Sequence, residues 1–227
     1  MECTLVSENR ITPISKDMPL DKAALLGCVV PTGMGAIINT AQVKLGSAVA
    51  VFGAGGIGLC AIQAAALMNA VIVIAIDIYE HKLRLARTFG ATHTLDARKQ
   101  DPVPAIRELT DGKGVDYAIE AAGLKQTMEQ AFASVRNDGG LTVIIGNLPY
   151  QHKISIDPFA LIEGKRIIGS WGGETNPDRD FPRYIDLYLT GRLKLDELIT
   201  HRFQLEDINS AFSALDKGEV ARAIVEF

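Results

Sequence analysis

The chain has 227 residues, of which 48% are hydrophobic and 22% charged, a globular composition with enough apolar residues for a sizeable core. Its net charge is −4, and its Lys and Arg residues are scattered singly, so no basic tract follows a nucleic-acid backbone. The apolar run Val71–Ile76 falls far short of the ~20 residues of a membrane span, and Glu2 and Glu8 occupy the place of a secretory leader's apolar stretch. A cytoplasmic protein without membrane or nucleic-acid partners is expected. Cys3, Cys28 and Cys60 form no CxxC pair, which suits a reducing compartment. The four histidines show no HxxxH spacing, so no self-contained metal site is expected.

In chain order, Leu20–Val43 reads as two short helical segments split by Pro31. From Ser47 to Trp171 short β-rich runs alternate with helical stretches, the pattern of a parallel sheet with crossover helices. The predicted strands are Ala48–Phe52, Val71–Asp77, His93–Leu95, Val115–Glu120, Leu141–Gly146 and Arg166–Ser170. Most are rich in Val and Ile without alternation, as strands covered on both faces are. Predicted helices lie at Ile57–Met68, Glu80–Thr88, Pro104–Leu109 and Thr127–Val135. A polar loop (Gly172–Asp180), amphipathic helices near Pro182–Leu189 and Glu206–Leu215, and a strand Ala223–Phe227 complete the chain. The expected fold class is α/β, a doubly wound six-stranded parallel sheet of the Rossmann kind with a small second part.

The sharpest motif is Gly53-Ala54-Gly55-Gly56-Ile57-Gly58, which fits G-x-G-x-x-G directly after one strand and opens a helix. Gly53 suits a tight turn, Gly55 lets a pyrophosphate approach the backbone, and Gly58 lets the helix pack closely on the sheet. The free amides of the helix start, Gly56 among them, then offer an anion site at the positive end of the helix dipole. Three glycines alone are weak evidence of a site. The second strand, however, ends in Asp77, nineteen residues beyond Gly58, where an acid accepts ribose hydroxyls. An acid there favours NAD and repels the 2′-phosphate of NADP. Lys82, five residues on, is either a second ribose contact or a solvated surface lysine.

The stretch Leu26-Gly27-Cys28-Val29-Val30-Pro31-Thr32-Gly33-Met34-Gly35-Ala36 resembles the LGC-x-x-x-TG-x-GA segment of medium-chain zinc-type alcohol dehydrogenases. The likeness continues through the glycine loop, Asp77 and Lys82, Val115-Asp116, Glu120-Ala121-Ala122-Gly123, Gly191-Arg192-Leu193, Leu198-Ile199-Thr200 and Arg222. The resemblance implies that Cys28 is one of three protein ligands of a catalytic zinc, and that Thr32 packs a hydroxyl against the nicotinamide. It also implies that Ile57 lies behind the nicotinamide ring, that Ala121 and Ala122 line the adenosine side, and that Ile145, Ser170 and Trp171 face the carboxamide end. Arg222 would contact the pyrophosphate, and Cys60 is left as core. The rest of the family's catalytic domain, with the other zinc ligands, has no counterpart here. The resemblance therefore divides the chain into a catalytic-domain remnant (1–29), a dinucleotide-binding domain (30–171) and a C-terminal part of the catalytic domain (172–227).

Three functions compete at this level. The first is an NAD-dependent alcohol dehydrogenase acting on a small alcohol or aldehyde. The second is an NAD-binding module without activity, because the zinc ligands are missing. The third is a metal-free quinone-reductase-like enzyme, against which Cys28 speaks. The family resemblance also implies a homodimer or higher oligomer, with cofactor domains paired through the last sheet strand near Arg166–Ser170, since pairing protects an open apolar edge.

Overall fold

The computed structural model describes residues 5–226, so Cys3 and Phe227 lie outside the described residues. The chain forms two compact units, one of Cys28–Thr175 and one joining Met1–Gly27 to Asn176–Phe227.

The second unit carries a 3-10 turn at Glu8–Arg10 and then the one-turn helix α1 (Leu20–Ala23). The larger unit follows, with α2 (Val29–Gly35), a π-helical turn (Ala36–Ala41), β1 (Ala48–Phe52), α3 (Gly56–Leu67), β2 (Ile72–Asp77) and α4 (Glu80–Thr88). It continues with β3 (His93–Asp96), α5 (Pro102–Glu108), β4 (Tyr117–Glu120), α6 (Lys125–Ser134), β5 (Leu141–Ile144), α7 (Pro158–Ile162) and β6 (Arg166–Gly169). The six strands make one sheet in the order β3-β2-β1-β4-β5-β6, with every pair parallel. This is the expected doubly wound α/β architecture. Strand order reverses between β1 and β4, and a crevice opens there beyond the strands' C-terminal ends.

Burial explains the sequence pattern. Val49 to Phe52 and Val73 to Ala75 are fully buried, so both sheet faces demand apolar residues and no alternation survives. Residues 58–65 of α3 are likewise buried all round, because α3 lies between the sheet and α2. Its close approach to α2 is made at Gly33, where a Cβ would come within 2.3 Å of the Ile57 carbonyl and 2.6 Å of Cys60 Cβ. Cys60 is buried there, as core. Asp116 ties the opposite end of the sheet, accepting from Ala48 N at 2.8 Å and Arg136 Nε at 2.7 Å.

The smaller unit adds α8 (Pro177–Leu189), β7 (His201–Gln204), α9 (Ile208–Asp216) and β8 (Ala223–Glu226). β7 and β8 pair in parallel, which requires the crossover that α9 supplies. Lys22, with a side chain 10% exposed, reaches Asp21 at 2.6 Å and Asp196 at 3.1 Å. Arg202 bonds Asp21 at 2.7 Å and also pairs with Glu226. Charge thus binds the first part of this unit to the last.

Several expected elements need correction. Pro31 does not split the Leu20–Val43 region. It occupies the third position of α2, where its missing N–H would have had no intrahelical acceptor. The break falls at Cys28, whose backbone is non-helical. Helix α8 begins at Pro177 inside the expected loop, because Asn176 accepts from Arg179 N while Asp180 accepts from Asn176 N. Helix α7 and strand β7 were not expected.

Candidate functional site

The β1–α3 junction is built by contacts that leave no room for side chains. Gly53 has φ +96°, and its N–H donates to the Ile76 carbonyl at 2.8 Å. A Cβ on Gly58 would sit 1.8 Å from the Gly53 carbonyl oxygen, so only glycine lets the helix begin there. Gly55 caps α3 without a side chain, and its Cβ position faces open space. The first amides of α3, at Gly56, Ile57 and Gly58, precede the first helical hydrogen bond, from Leu59 N to Gly55 O. Amides at such a helix start could hold an anionic group.

Asp77, at the tip of β2, reaches into this turn. Its Oδ2 accepts from Ala54 N at 2.7 Å, and its Oδ1 accepts from Ile78 N at 2.7 Å and Tyr79 N at 2.9 Å. A carboxyl group that accepts at about four lone-pair positions keeps about one for a further donor. The same side chain therefore shapes the glycine turn and retains capacity for a hydroxyl.

A cavity of about 290 Å³ opens beside these groups. Gly53, Gly55, Asp77, Lys82, Ala121 and Ala122 all line it, so the structure brings six of the sequence-predicted residues together. Phe52, Ile76, Ile78, Tyr79, Ala97, Leu124, Thr127 and Gln130 complete the wall. Ile78 and Leu124 are half exposed despite their apolar side chains, which suits the faces of a flat, largely apolar group. Lys82 Nζ lies 4.8 Å over the Tyr79 ring, a contact that holds the ammonium at the cavity wall. Sequence reading missed Ile78, Tyr79, Leu124, Thr127 and Gln130. An available signal was the apolar pair directly after the strand-tip acid.

The remaining predicted residues sit elsewhere. Ile145 follows β5 and donates its N–H to the Glu120 carbonyl at 3.0 Å. Ser170 follows β6, and its Oγ lies 2.6 Å from Thr40 Oγ1. Trp171 is 90% exposed. All three stand at the C-terminal strand ends, on the sheet's cavity edge. Cys28 is exposed at the start of α2, and Thr32 is buried within that helix. The 170–175 segment is laced to this helical region: Asn39 donates to the Gly173 carbonyl at 3.1 Å, and Thr175 Oγ1 donates to the Pro31 carbonyl at 3.2 Å. Arg222 belongs to the smaller unit, where its carbonyl accepts from Thr200 N.

A zinc ion does not fit this donor set. A catalytic zinc takes three protein ligands and a structural one four. Among the described residues no three His, Cys, Asp or Glu side chains come together as a metal would require, and Cys28 stands without such partners.

The parallel sheet, its strand order and the glycine turn beside a strand-tip acid define a Rossmann-type α/β fold. The comparisons sharpen this. Residues 56–190 match the family described as zinc-binding dehydrogenase, and the chain belongs to that family. It is 39% identical to alcohol dehydrogenase-like 5 of Arabidopsis thaliana across 99% of this chain and 58% of that protein. It superposes on benzyl alcohol dehydrogenase from Acinetobacter calcoaceticus with a TM-score of 0.93 and 34% identity, covering 97% of this chain and 60% of the other. A structure from Sinorhizobium meliloti 1021 bound to NADP gives a TM-score of 0.76 and 34% identity, over 85% of this chain and 55% of that one. The chain thus spans about 60% of the length of the curated relatives it matches. The relatives named here are alcohol dehydrogenases. No single described helix is long and apolar enough to cross a membrane.

Proposed function

We propose that this chain binds NAD or NADH and is the cofactor-binding and C-terminal part of an NAD-dependent alcohol dehydrogenase. The observation that carries the proposal is the Asp77 carboxyl at the glycine turn, in the wall of the same cavity as Ala121 and Ala122. Gly53, Gly55 and the first amides of α3 would hold the pyrophosphate. Asp77 and Lys82 would take the adenosine ribose hydroxyls, and Ile78, Tyr79 and Leu124 would flank the adenine. Ile57, Ile145, Ser170 and Trp171 are assigned to the nicotinamide half, with Thr32 beside them. Bound NAD supplies a hydride acceptor, and the residues named here bind and orient it. The substrate class that goes with this assignment is a small alcohol or aldehyde, as the names of the relatives suggest.

A second reading is favoured by one observation. Cys28 belongs to no group of three or more metal-donor side chains among the described residues, so this chain by itself would hold the dinucleotide without oxidising an alcohol.

Thermal stabilisation by NADH and by NADPH tests the cofactor assignment, since a ligand that binds only the native state raises stability by mass action. NADH is expected to stabilise the chain clearly more than NADPH, and Asp77→Ala to narrow the gap. Equal stabilisation of the unmutated chain by both cofactors would overturn the preference, notwithstanding the NADP-bound relative.

A further inference from the structure

Glu120 stands at the C-terminal tip of β4 and is fully buried, yet the cofactor assignment gives its side chain nothing to do. Its Oε1 accepts three hydrogen bonds, from Ala122 N at 2.9 Å, Gly123 N at 2.8 Å and Thr127 Oγ1 at 2.7 Å. Its Oε2 has no hydrogen-bond partner. A buried oxygen without a partner costs stability, so the arrangement calls for a return elsewhere.

That return lies in the loop after β4. The amides of Ala122 and Gly123 have Glu120 as their acceptor rather than a backbone carbonyl. Gly123 has φ +74°, and a Cβ there would come 2.8 Å from the Asn147 carbonyl. Gly146 completes the knot: its N–H and that of Ile145 donate to the Glu120 carbonyl at 3.0 Å. A Cβ on Gly146 would meet Glu120 Oε2 at 2.5 Å and Gly123 N at 2.4 Å. The loop held in this way carries Ala121, Ala122 and Leu124, and Thr127 stands just beyond it. All four line the cavity.

We infer that Glu120 is a positioning residue for the adenosine end of the cavity, fixing the 121–124 corner before any ligand arrives. This rests on the reading of the cavity as a dinucleotide site. A wall already ordered adds no ordering cost on binding. Glu120 acts through Ala122, Gly123 and Thr127, and needs no contact with the cofactor.

The test titrates ADP-ribose, which keeps the adenosine end and the pyrophosphate but lacks the nicotinamide, into the unmutated chain, Glu120→Gln and Glu120→Met. Glutamine keeps a carbonyl oxygen for the three donors, and affinity is expected within about threefold of the unmutated chain. Methionine matches the volume without an acceptor, and affinity is expected to fall on the order of tenfold or more. A merely structural role would lower the melting temperature of the Met variant and leave the affinity of its folded fraction unchanged, overturning the inference. Because that variant could fail to fold, amide exchange in the unliganded, unmutated chain supplies a second reading. Slow exchange at both Ala122 and Gly123, matching that of β4, supports Glu120 as the anchor, and fast exchange at both overturns it. Failure of the unmutated chain to bind ADP-ribose would instead remove the dinucleotide reading, and this inference with it.

Discussion

The larger unit and the smaller one, each taken by itself, differ in how far ion pairs supplement apolar burial. The larger unit is continuous in sequence, its strands are buried on both faces, and its close approaches occur at glycines such as Gly33 and Gly58. The smaller unit joins the two ends of the chain; it too buries leucines such as Leu25 and Leu195, and it adds ion pairs between its two segments, Arg202 and Asp21 being 181 residues apart. Apolar burial responds little to pH and to moderate simple salt, whereas pairs at a partly exposed surface are screened by salt and lost when the carboxylate is protonated. The unit assigned to the cofactor has the rigid, environment-independent scaffold that precise site geometry requires.

This contrast can be broken first in the core. Ile74 is fully buried in the middle of β2, and Ile74→Ala is expected to cost about 2–5 kcal/mol. Urea unfolding at low and high salt should give the same loss. A strongly salt-dependent loss would mean that the larger unit is not held as described.

A smaller effect sharpens the other side. Hydrogen bonds from Arg202 and Lys22 hold the Asp21 carboxyl at a pKa of about 2, below its ordinary 3.8. A group depressed in the folded state stabilises it above the ordinary pKa, and that stabilisation is lost as pH falls from 3.8 towards about 2. Allowing for solvent screening, the contribution near neutrality is about 1 kcal/mol. The stability difference between the unmutated chain and Asp21→Asn should therefore be present at pH 6 and vanish over that acid range. A difference that persists unchanged below the range would assign it to packing instead.

The alternation of strands and helices, the glycine turn and Asp77 were legible because each leaves a local trace: β-rich runs, glycine spacing and an acid at a strand end. Helix starts were less legible, for one recurrent reason. Asp101-Pro102, Asp157-Pro158 and Asn176-Pro177 each look like turn dipeptides, yet each is an N-cap followed by proline at the first helical position. α5 and α8 were consequently placed too late, and α7 was not seen. Strand β7 escaped because His201–Gln204 is only partly buried and pairs with a strand beyond α9. The cavity wall was read only in part. Thr127 and Gln130 are recruited from α6 by folding, and nothing in their sequence neighbourhood marks them. Glu120 was visible as part of a family stretch, but its three donors become apparent only when the loop after β4 folds back on it.

The central claim is that the glycine turn and its cavity hold a dinucleotide, and calorimetric titration of NADH into the unmutated chain and Gly58→Ala tests it most directly. In the variant a methyl group would fall 1.8 Å from the Gly53 carbonyl, so the turn must open and the first amides of α3 must move. One NADH per unmutated chain is expected, with affinity lower by at least about tenfold in a variant that still folds. No binding to the unmutated chain, or equal binding to both, would contradict the account.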